Sequence, residues 1–179
     1  MICMHNFIQK KYKMKYARKR GYIMKTLIVF YSYSNHTRET AEYMKNIIKC
    51  DIAEIIPVKP YTAIYQKLVD STENNREEKK TPEIRKLETD INDYDRIIIG
   101  TPVWWYTMAE PIRTFLNENN LKGKQIMLFA TNAGWPGSTF KDMISIIGND
   151  ANTLDVKYSV DGAERLTPKY EIERFLKQL

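Results

Sequence analysis

The segment from Asp95 to Gly100 contains three consecutive isoleucines, Ile97 to Ile99. A strand that is apolar at every position is typical of the centre of a parallel sheet, because helices cover both of its faces. Two more short segments, Lys25–Tyr31 and Gln125–Thr131, are apolar and rich in β-forming residues. The other two predicted strands are Asp51–Val58, which is more exposed and is stopped by Pro57 and Pro60, and Thr153–Val160.

Segments with helical spacing lie between these strands. Ala41, Met44 and Ile48 recur on one face of Thr37–Lys49. Further helices are predicted for Pro111–Asn119, for Ser138–Ile147 with Ser138 as its cap, for Pro168–Leu179 and for part of Tyr61–Arg85. Strands that alternate with helices predict an α/β fold, in which right-handed crossovers build an open parallel sheet.

The formal net charge of +6 is concentrated in residues 1–23. This segment holds seven Lys and Arg residues and no Asp or Glu, whereas residues 24–179 hold 21 basic and 22 acidic residues. We therefore predict one domain over residues 24–179. The basic extension before it is expected to be disordered or to reflect a start codon upstream of a natural start at Met24. A basic arm for anionic surfaces is the alternative, and the domain itself gives no support for nucleic-acid binding.

The extension has no sustained apolar run, so neither a secretory signal nor a membrane span is predicted. The two cysteines, Cys3 and Cys50, fit neither a disulfide framework nor a zinc site. We therefore expect a protein of the reducing cytoplasm that holds no metal.

The first loop, Ser32-Tyr33-Ser34-Asn35-His36-Thr37, joins the first predicted strand to the first predicted helix. At such a junction, backbone N–H groups and the positive end of the helix dipole point at one spot. Three of the six side chains, Ser32, Ser34 and Thr37, carry aliphatic hydroxyls, and the first cation is Arg38. The first loop is therefore a candidate phosphate site. The alternative is an ordinary turn in which Ser34 or Asn35 caps the helix.

Two further loops are predicted at the same edge of the sheet, where open parallel sheets bind their ligands. The second loop, Thr101–Ala109, includes Pro102-Val103-Trp104-Trp105-Tyr106. Neighbours on an extended segment point opposite ways, so at least one of the three aromatics should be exposed as a platform for a flat ring. The alternative is a helix-packing cluster or a subunit contact.

The third loop, Thr131–Ser138, begins Thr131-Asn132-Ala133-Gly134 and continues through Trp135 and Gly137. Its glycines would let backbone approach a ligand closely, although a plain glycine-rich turn is the alternative. Taken together, a phosphate site and two ring-contacting loops suit a mononucleotide with a flat, redox-active ring.

This arrangement resembles the flavodoxin family. Its members carry Ser/Thr-x-Thr/Ser-Gly-x-Thr after a strand that ends in an aromatic residue, with an alanine four residues later. The residues that match are Tyr31, Ser32, Ser34, Thr37 and Ala41. Asn35 stands where glycine is usual, and Asn tolerates a left-handed backbone better than most residues. The segment from Tyr94 to Trp105 is similar to one flavodoxin subgroup in particular, which has Gly-x-Pro-x-Trp-Trp, here Gly100-Thr101-Pro102-Val103-Trp104-Trp105.

The resemblance implies a flavodoxin-like, three-layer, doubly wound sheet of five parallel strands in the order 2-1-3-4-5, and non-covalent binding of FMN. Residues Ser32 to Thr37 would hold the phosphate. Pro102 to Tyr106 would hold the ring on one side, with Trp104 or Trp105 stacked on it, and Thr131 to Gly134 would bracket its other edge. No side chain is expected to be catalytic, because the flavin carries the redox step. An apolar wall and a phosphate neutralised only by dipoles predict a potential below that of free FMN.

We expect a monomeric or homodimeric electron-transfer protein that serves redox proteins. The alternative is an FMN-dependent NAD(P)H oxidoreductase acting on quinones or other small acceptors. It stays open because the domain lacks the acidity of typical flavodoxins, and because Trp104–Thr107 has no glycine for the peptide flip that supports one-electron chemistry in the family. A receiver-type signalling domain would need clustered acids after the first strand, and a P-loop NTPase would need Gly-Lys-Ser/Thr; the first loop has neither.

Overall fold

The computed structural model describes residues 24–73, 75–161 and 169–179. The predicted basic extension and the predicted start of the last helix at Pro168 lie outside these residues. The strands are β1 (Thr26–Phe30), β2 (Asp51–Glu54), β3 (Arg96–Trp104), β4 (Thr107–Met108), β5 (Gln125–Asn132) and β6 (Asn152–Asp161). The helices are α1 (His36–Ile48), α2 (Tyr65–Thr72), α3 (Asn75–Glu78), α4 (Glu110–Glu118), α5 (Thr139–Ile147) and α6 (Lys169–Leu176), with a 3₁₀ turn at Ile91–Asp93.

Five strands form one parallel sheet in the order β2-β1-β3-β5-β6, and β4 pairs antiparallel with the end of β3. Without the short β4, this is the predicted order 2-1-3-4-5. The predicted α/β, flavodoxin-like sheet is therefore confirmed. In the part of the chain that the structure describes, no helix has the length and apolar character needed to cross a membrane.

The isoleucine run of β3 lies at the centre of the sheet, and all three side chains are fully buried. Ile97 and Ile99 face one apolar cluster with Phe115 of α4, while Ile98 faces the other. That second cluster includes residues of α1 and α6. Helices thus cover both faces of the strand, which explains why no polar residue interrupts the run.

Gly100 ends the isoleucine run and lies beside Phe129 of β5. A Cβ added to Gly100 would lie 2.1 Å from Cζ of Phe129. Only glycine accommodates this close approach, and it brings the ends of β3 and β5 together below the second and third loops.

The second strand is shorter than predicted, because it ends at Glu54 and not at Val58. Val58 N donates to Glu83 O at 2.9 Å, and Arg85 N donates to Ile56 O at 2.8 Å. Residues 56–58 therefore pair antiparallel with residues 83–85 and leave the sheet. Pro57 lies at the centre of this pairing and has no N–H to extend the ladder beside β1.

The third strand is longer than predicted and includes part of the second loop. Thr101 and Pro102 continue the pairing with β5, and Val103 and Trp104 pair with β4. The second loop is thus a hairpin whose turn is Trp105-Tyr106. Ser138 is the N-cap residue of α5, as predicted, although its side chain makes no capping hydrogen bond.

Candidate functional site

The first loop leads into α1 through a left-handed residue. Asn35 has φ 68° and ψ −12°, a conformation that glycine adopts freely and Asn adopts better than other residues. Its side chain does not cap the helix, so the simple capping alternative is wrong for Asn35. Instead, Asn35 Oδ1 accepts a hydrogen bond from Arg38 Nη1.

The backbone donors of the first loop are available to a ligand. Arg38 N donates to Ser32 Oγ at 3.2 Å, and Glu39 N donates to Asn35 O at 2.9 Å. Among the described residues, no such bond involves the N–H groups of residues 33 to 37. Ser34, Asn35 and His36 are also exposed. The first loop therefore offers unpaired N–H groups at a helix N-terminus, which is the geometry of an anion site.

Thr37 differs from the other residues of the first loop, because its side chain points inward. Thr37 is 1% exposed, and its Oγ1 lies 2.7 Å from Oγ1 of Thr131, which is itself buried. This hydrogen bond joins the first loop to the start of the third loop. One of the two hydroxyls donates to the other, so a single proton of the pair is left for a ligand.

The cation nearest the first loop is already paired. The Arg38 guanidinium contacts both carboxylate oxygens of Glu54, each at 2.7 Å from Nη2. Glu54 ends β2 and was not among the predicted site residues. A phosphate bound by the first loop would meet dipoles and hydroxyls before a free positive charge.

The second loop turns through two left-handed aromatic residues. Trp105 has φ 51° and Tyr106 has φ 63°, the signs that a type I′ turn requires at both central positions. Such conformations cost of order 1 kcal/mol each for residues other than Gly, Asn and Asp. Tyr106 is 51% exposed, which confirms that at least one aromatic of this loop is exposed.

The two tryptophans lie against protein groups. The Trp104 ring is edge-on to Tyr33 and to Tyr61, with centroids 6.0 and 5.0 Å apart. The Trp105 indole N–H donates to Thr72 Oγ1 of α2 at 3.0 Å. Each tryptophan is only partly buried. Which of the two stacks on a ligand ring stays a prediction.

Hydrogen bonds from the third loop stabilise the hairpin of the second loop. Tyr106 O accepts hydrogen bonds from Ser138 N at 2.7 Å and from Ser138 Oγ at 3.1 Å. Gly137 has φ 59°, and a Cβ there would lie 2.4 Å from Tyr106 O. Trp135 is 65% exposed, and its ring centroid lies 5.4 Å from that of Tyr106. The two loops together present an exposed aromatic pair, Tyr106 and Trp135, at the rim of the sheet.

The remaining predicted residues of this rim lie along the two strand ends. Pro102 and Val103 are half-buried in β3, while Asn132 is half-buried at the end of β5. Ala133 and Gly134 are exposed beyond it. The structure thus brings the three loops to one edge of the sheet. Trp135, which is exposed at this edge, was not among the predicted site residues.

A cavity of about 530 Å³, which the sequence did not predict, lies on the β2 side of the first loop. One wall is formed by residues 31–34 and Arg38, and the other by residues 54–57, Pro60, Tyr61 and Ala63. The sequence predicted that the segment after Glu54 is the end of an exposed strand, stopped by Pro57 and Pro60. Its two prolines and Tyr61 were the signal that this segment folds back over the edge of the sheet.

Tyr31, which is buried, and Tyr61, which is half-buried, keep their protons. Burial raises the pKa of Tyr31, and the nearby Tyr33 raises it further. Burial also raises the pKa of Tyr61, as does its hydrogen bond to Glu110. Both phenols are therefore protonated at neutral pH, and the Tyr61 hydroxyl donates a hydrogen bond to Glu110. Burial raises the pKa of the Cys50 thiol to about 11, so this residue is no reactive thiolate.

These residues fit the group that the resemblance implies. The unpaired N–H groups behind a left-handed Asn35 suit a phosphate, and Glu54, the carboxylate beside them, is neutralised by Arg38. The exposed Tyr106 and Trp135 offer apolar contact to a flat ring.

Comparisons with known proteins agree with this geometry. The sequence profile of the flavodoxin family matches residues 25–155. The chain is 30% identical to a flavoprotein from Lactobacillus acidophilus NCFM whose crystal structure contains FMN, with a TM-score of 0.66 and coverage of 80% of this chain and 97% of the other. No curated protein matches the chain.

Two other solved structures are similar. A candidate flavoprotein from Bacteroides eggerthii DSM 20697 is 26% identical, with a TM-score of 0.72, over 87% of this chain and 98% of the other. Flavodoxin 2 from Bacillus cereus is 16% identical, with a TM-score of 0.55, over 87% and 99%, and supports the fold alone. The family profile covers well over half of the sequence, and the chain belongs to the flavodoxin family.

Proposed function

We propose that this protein binds FMN non-covalently and transfers electrons through it. The observation that carries the proposal is the first loop, where a left-handed Asn35 precedes α1 and the N–H groups of residues 33–37 have no partner among the residues that the structure describes. The similar Lactobacillus acidophilus protein was crystallised with FMN, which supports the same ligand here. Bound FMN would supply one- and two-electron chemistry.

The chain's own residues bind and orient the cofactor in this proposal. The N–H groups of residues 33–37 and the hydroxyls of Ser32 and Ser34 hold the phosphate. Pro102 to Tyr106 and Thr131 to Gly134 flank the ring on two sides. The hydrogen bond between Thr37 and Thr131 keeps the phosphate and ring ends of the site in register. No side chain is required to form a covalent bond with the cofactor.

A specific observation keeps the oxidoreductase alternative in view. The second and third loops contain no Asp or Glu, so no carboxylate on them would steer a basic redox protein to the ring. The exposed Tyr106 and Trp135 would suit a small flat acceptor such as a quinone equally well. We therefore propose either a redox protein or a small molecule as the partner, with the cytoplasm as the location.

Titration of the purified protein with FMN tests the first part of the proposal. We expect a shifted and quenched flavin absorbance band with 1:1 stoichiometry, and weaker binding of riboflavin, which lacks the phosphate. An unshifted band after FMN addition would overturn the proposal.

The FMN-loaded protein separates the two roles. Slow oxidation of NADPH in the absence of a reductase supports the electron carrier. Rapid oxidation, with reduction of an added quinone, supports the oxidoreductase.

Ser34 offers a sharper test of the first loop, because its side chain is exposed. We expect Ser34→Ala to weaken FMN binding several-fold and to leave riboflavin binding unchanged, since it removes one neutral hydrogen bond. Ser145→Ala, at an exposed position of α5, is the matched control. Equal losses for FMN and riboflavin would show that the loop does not hold the phosphate.

A further inference from the structure

Glu110, the first residue of α4, carries a carboxylate behind the second loop. The residue is 8% exposed, and Glu110 Oε2 accepts a hydrogen bond from the Tyr61 hydroxyl. Glu110 Oε1 is buried without a hydrogen-bond partner among the described residues. The ion pairs found in that part of the chain do not include Glu110. A buried acid without a cation is costly, so its retention here calls for an explanation.

Arg113, one helical turn later, is the counterpart of Glu110. It is also 8% exposed, and its Nε is buried without a hydrogen-bond partner in the described structure. Its Nη2 lies 3.5 Å from Thr107 Oγ1 at the base of the hairpin. Glu110 and Arg113 thus bring opposite charges to the back of the second loop without forming an ion pair.

Both residues reach the loop that the proposed function places against the flavin ring. Together with Trp104, Trp105 and Thr107, they line a cavity of about 10 Å³, enough for about one water molecule. Trp104 also packs edge-on against Tyr61, the donor to Glu110. Glu110 and Arg113 therefore lie next to both tryptophans of the second loop.

The charge of Glu110 is favoured by its position. As the first residue of α4, it lies at the positive end of the helix dipole, which stabilises a carboxylate. The Tyr61 phenol keeps its proton and donates it to the carboxylate in a hydrogen bond. Because little water surrounds these groups, their fields are screened less than those of surface charges.

We propose that Glu110 and Arg113 set the reduction potential of the bound flavin by opposing electrostatic effects. Full reduction adds two electrons and one proton, so the bound cofactor gains one negative charge. The Glu110 carboxylate disfavours that charge and lowers the potential, whereas the Arg113 guanidinium favours it and raises the potential. This inference rests on the proposed function, since it needs FMN to lie against the second loop.

The test measures the potential of the FMN-loaded protein and the dissociation constants of oxidised and reduced FMN. Glu110→Gln keeps an acceptor for Tyr61 and removes the charge, so we expect reduced FMN to gain about tenfold in affinity relative to oxidised FMN. Tenfold corresponds to a potential about 30 mV higher for a two-electron couple. Arg113→Gln is expected to shift the ratio by a similar factor in the opposite direction.

Two matched variants serve as controls. Glu118→Gln removes an exposed charge from the last residue of the same helix and should leave the ratio unchanged. Arg113→Lys keeps the positive charge, so its ratio of affinities for reduced and oxidised FMN should stay close to that of the unaltered protein. If Glu110→Gln fails to fold, the shift of Arg113→Gln alone decides the matter.

The possible failures are distinguishable. An unchanged ratio in Glu110→Gln or Arg113→Gln, in protein that still binds FMN, overturns the inference and leaves the proposed function standing. Shifts of the same sign in both variants also overturn it, because they indicate a displaced loop. If the unaltered protein does not bind FMN, the proposed function itself fails.

Discussion

Asn35 and Arg38 show how much of the first loop depends on single residues. Asn35 adopts the left-handed conformation that the sequence pattern requires at this position, with φ 68°. Its amide oxygen accepts a hydrogen bond from Arg38, and Arg38 also forms an ion pair with Glu54. The conformation of the loop and the position of its nearest cation are thus coupled through one asparagine side chain.

We expect Asn35→Gly to keep FMN affinity within about threefold, because glycine adopts positive φ without strain. Asn35→Val should weaken FMN binding about tenfold, since a left-handed conformation costs 1–2 kcal/mol for a side chain with a branched Cβ. Fluorescence titration with FMN measures both variants. Equal affinities for the Gly and Val variants would contradict a required left-handed residue.

Glu54→Gln is expected to tighten FMN binding several-fold without changing riboflavin binding. The carboxylate now holds Arg38, and its loss would let the guanidinium turn to the phosphate. The gain should vanish when Arg38→Gln is added. Glu42→Gln, which breaks an exposed pair with Lys45 on the same helix, is the control and should have no effect. A weaker affinity for FMN in Glu54→Gln would show that the pair supports the loop instead.

At this scale, the sequence predicted what depends on neighbours in the chain. The left-handed Asn35 follows from its match to the glycine position of the flavodoxin motif, and the exposed aromatic in the Trp104–Tyr106 run follows from the alternation of side chains along an extended segment. The burial of Thr37 against Thr131 did not, because its partner is 94 residues away. Glu54 was missed for a similar reason, since an ion pair between a helix residue and a strand residue 16 positions later leaves no mark in either segment.

Among the elements, the hairpin of the second loop depends on the third loop. Two strained aromatic residues form its turn, and Ser138 holds the carbonyl of Tyr106 with two hydrogen bonds. The contacts of a neighbouring element thus maintain a conformation that the turn residues do not favour by themselves.

Gly137→Ala tests this dependence. Positive φ and a Cβ 2.4 Å from Tyr106 O should lower the free energy of unfolding by about 2–4 kcal/mol and displace the hairpin. Gly134→Ala is the matched control, with φ 104° but open space around the Cβ, and should cost about 1 kcal/mol. Urea denaturation compares them, and equal losses would argue against close packing of the two loops.

The elements themselves were well predicted, but their ends were less so. Buried strands such as β1 and β3 are marked by continuous apolar runs that only a covered sheet can accommodate. The end of β2 and the extension of β3 to Trp104 depend on pairing with residues 83–85 and with β4. These partners lie outside the local pattern, and Pro102 obscured the continuation of β3.

For the whole molecule, the buried tyrosines make stability depend on alkaline pH. The pKa values of Tyr31 and Tyr61 are raised above the ordinary value of 10.0, mainly by burial. The unfolded chain loses these protons first, so stability is full below pH 10 and falls as the pH rises above it.

Thermal unfolding between pH 8 and pH 11 tests this sign. We expect a constant midpoint up to about pH 9.5 and a steady decrease above it. Tyr31→Phe removes one of the titrating groups, so its decrease should be shallower. Tyr65→Phe is the control, because Tyr65 is 71% exposed. A midpoint temperature that increases as the pH is raised above 10 would contradict a stabilising role for the protonated tyrosines.

The hydrogen bond between Thr37 and Thr131 has a consequence for kinetics. It connects the start of α1 to the end of β5 within the protein itself, so little loop ordering should accompany capture of the cofactor. Association with the apoprotein should therefore approach the rate of diffusion, and differences in affinity between ligands should lie in how fast they leave. If Thr131→Val slows FMN association and leaves the dissociation rate unchanged, this hydrogen bond is the contact that preorganises the site for binding.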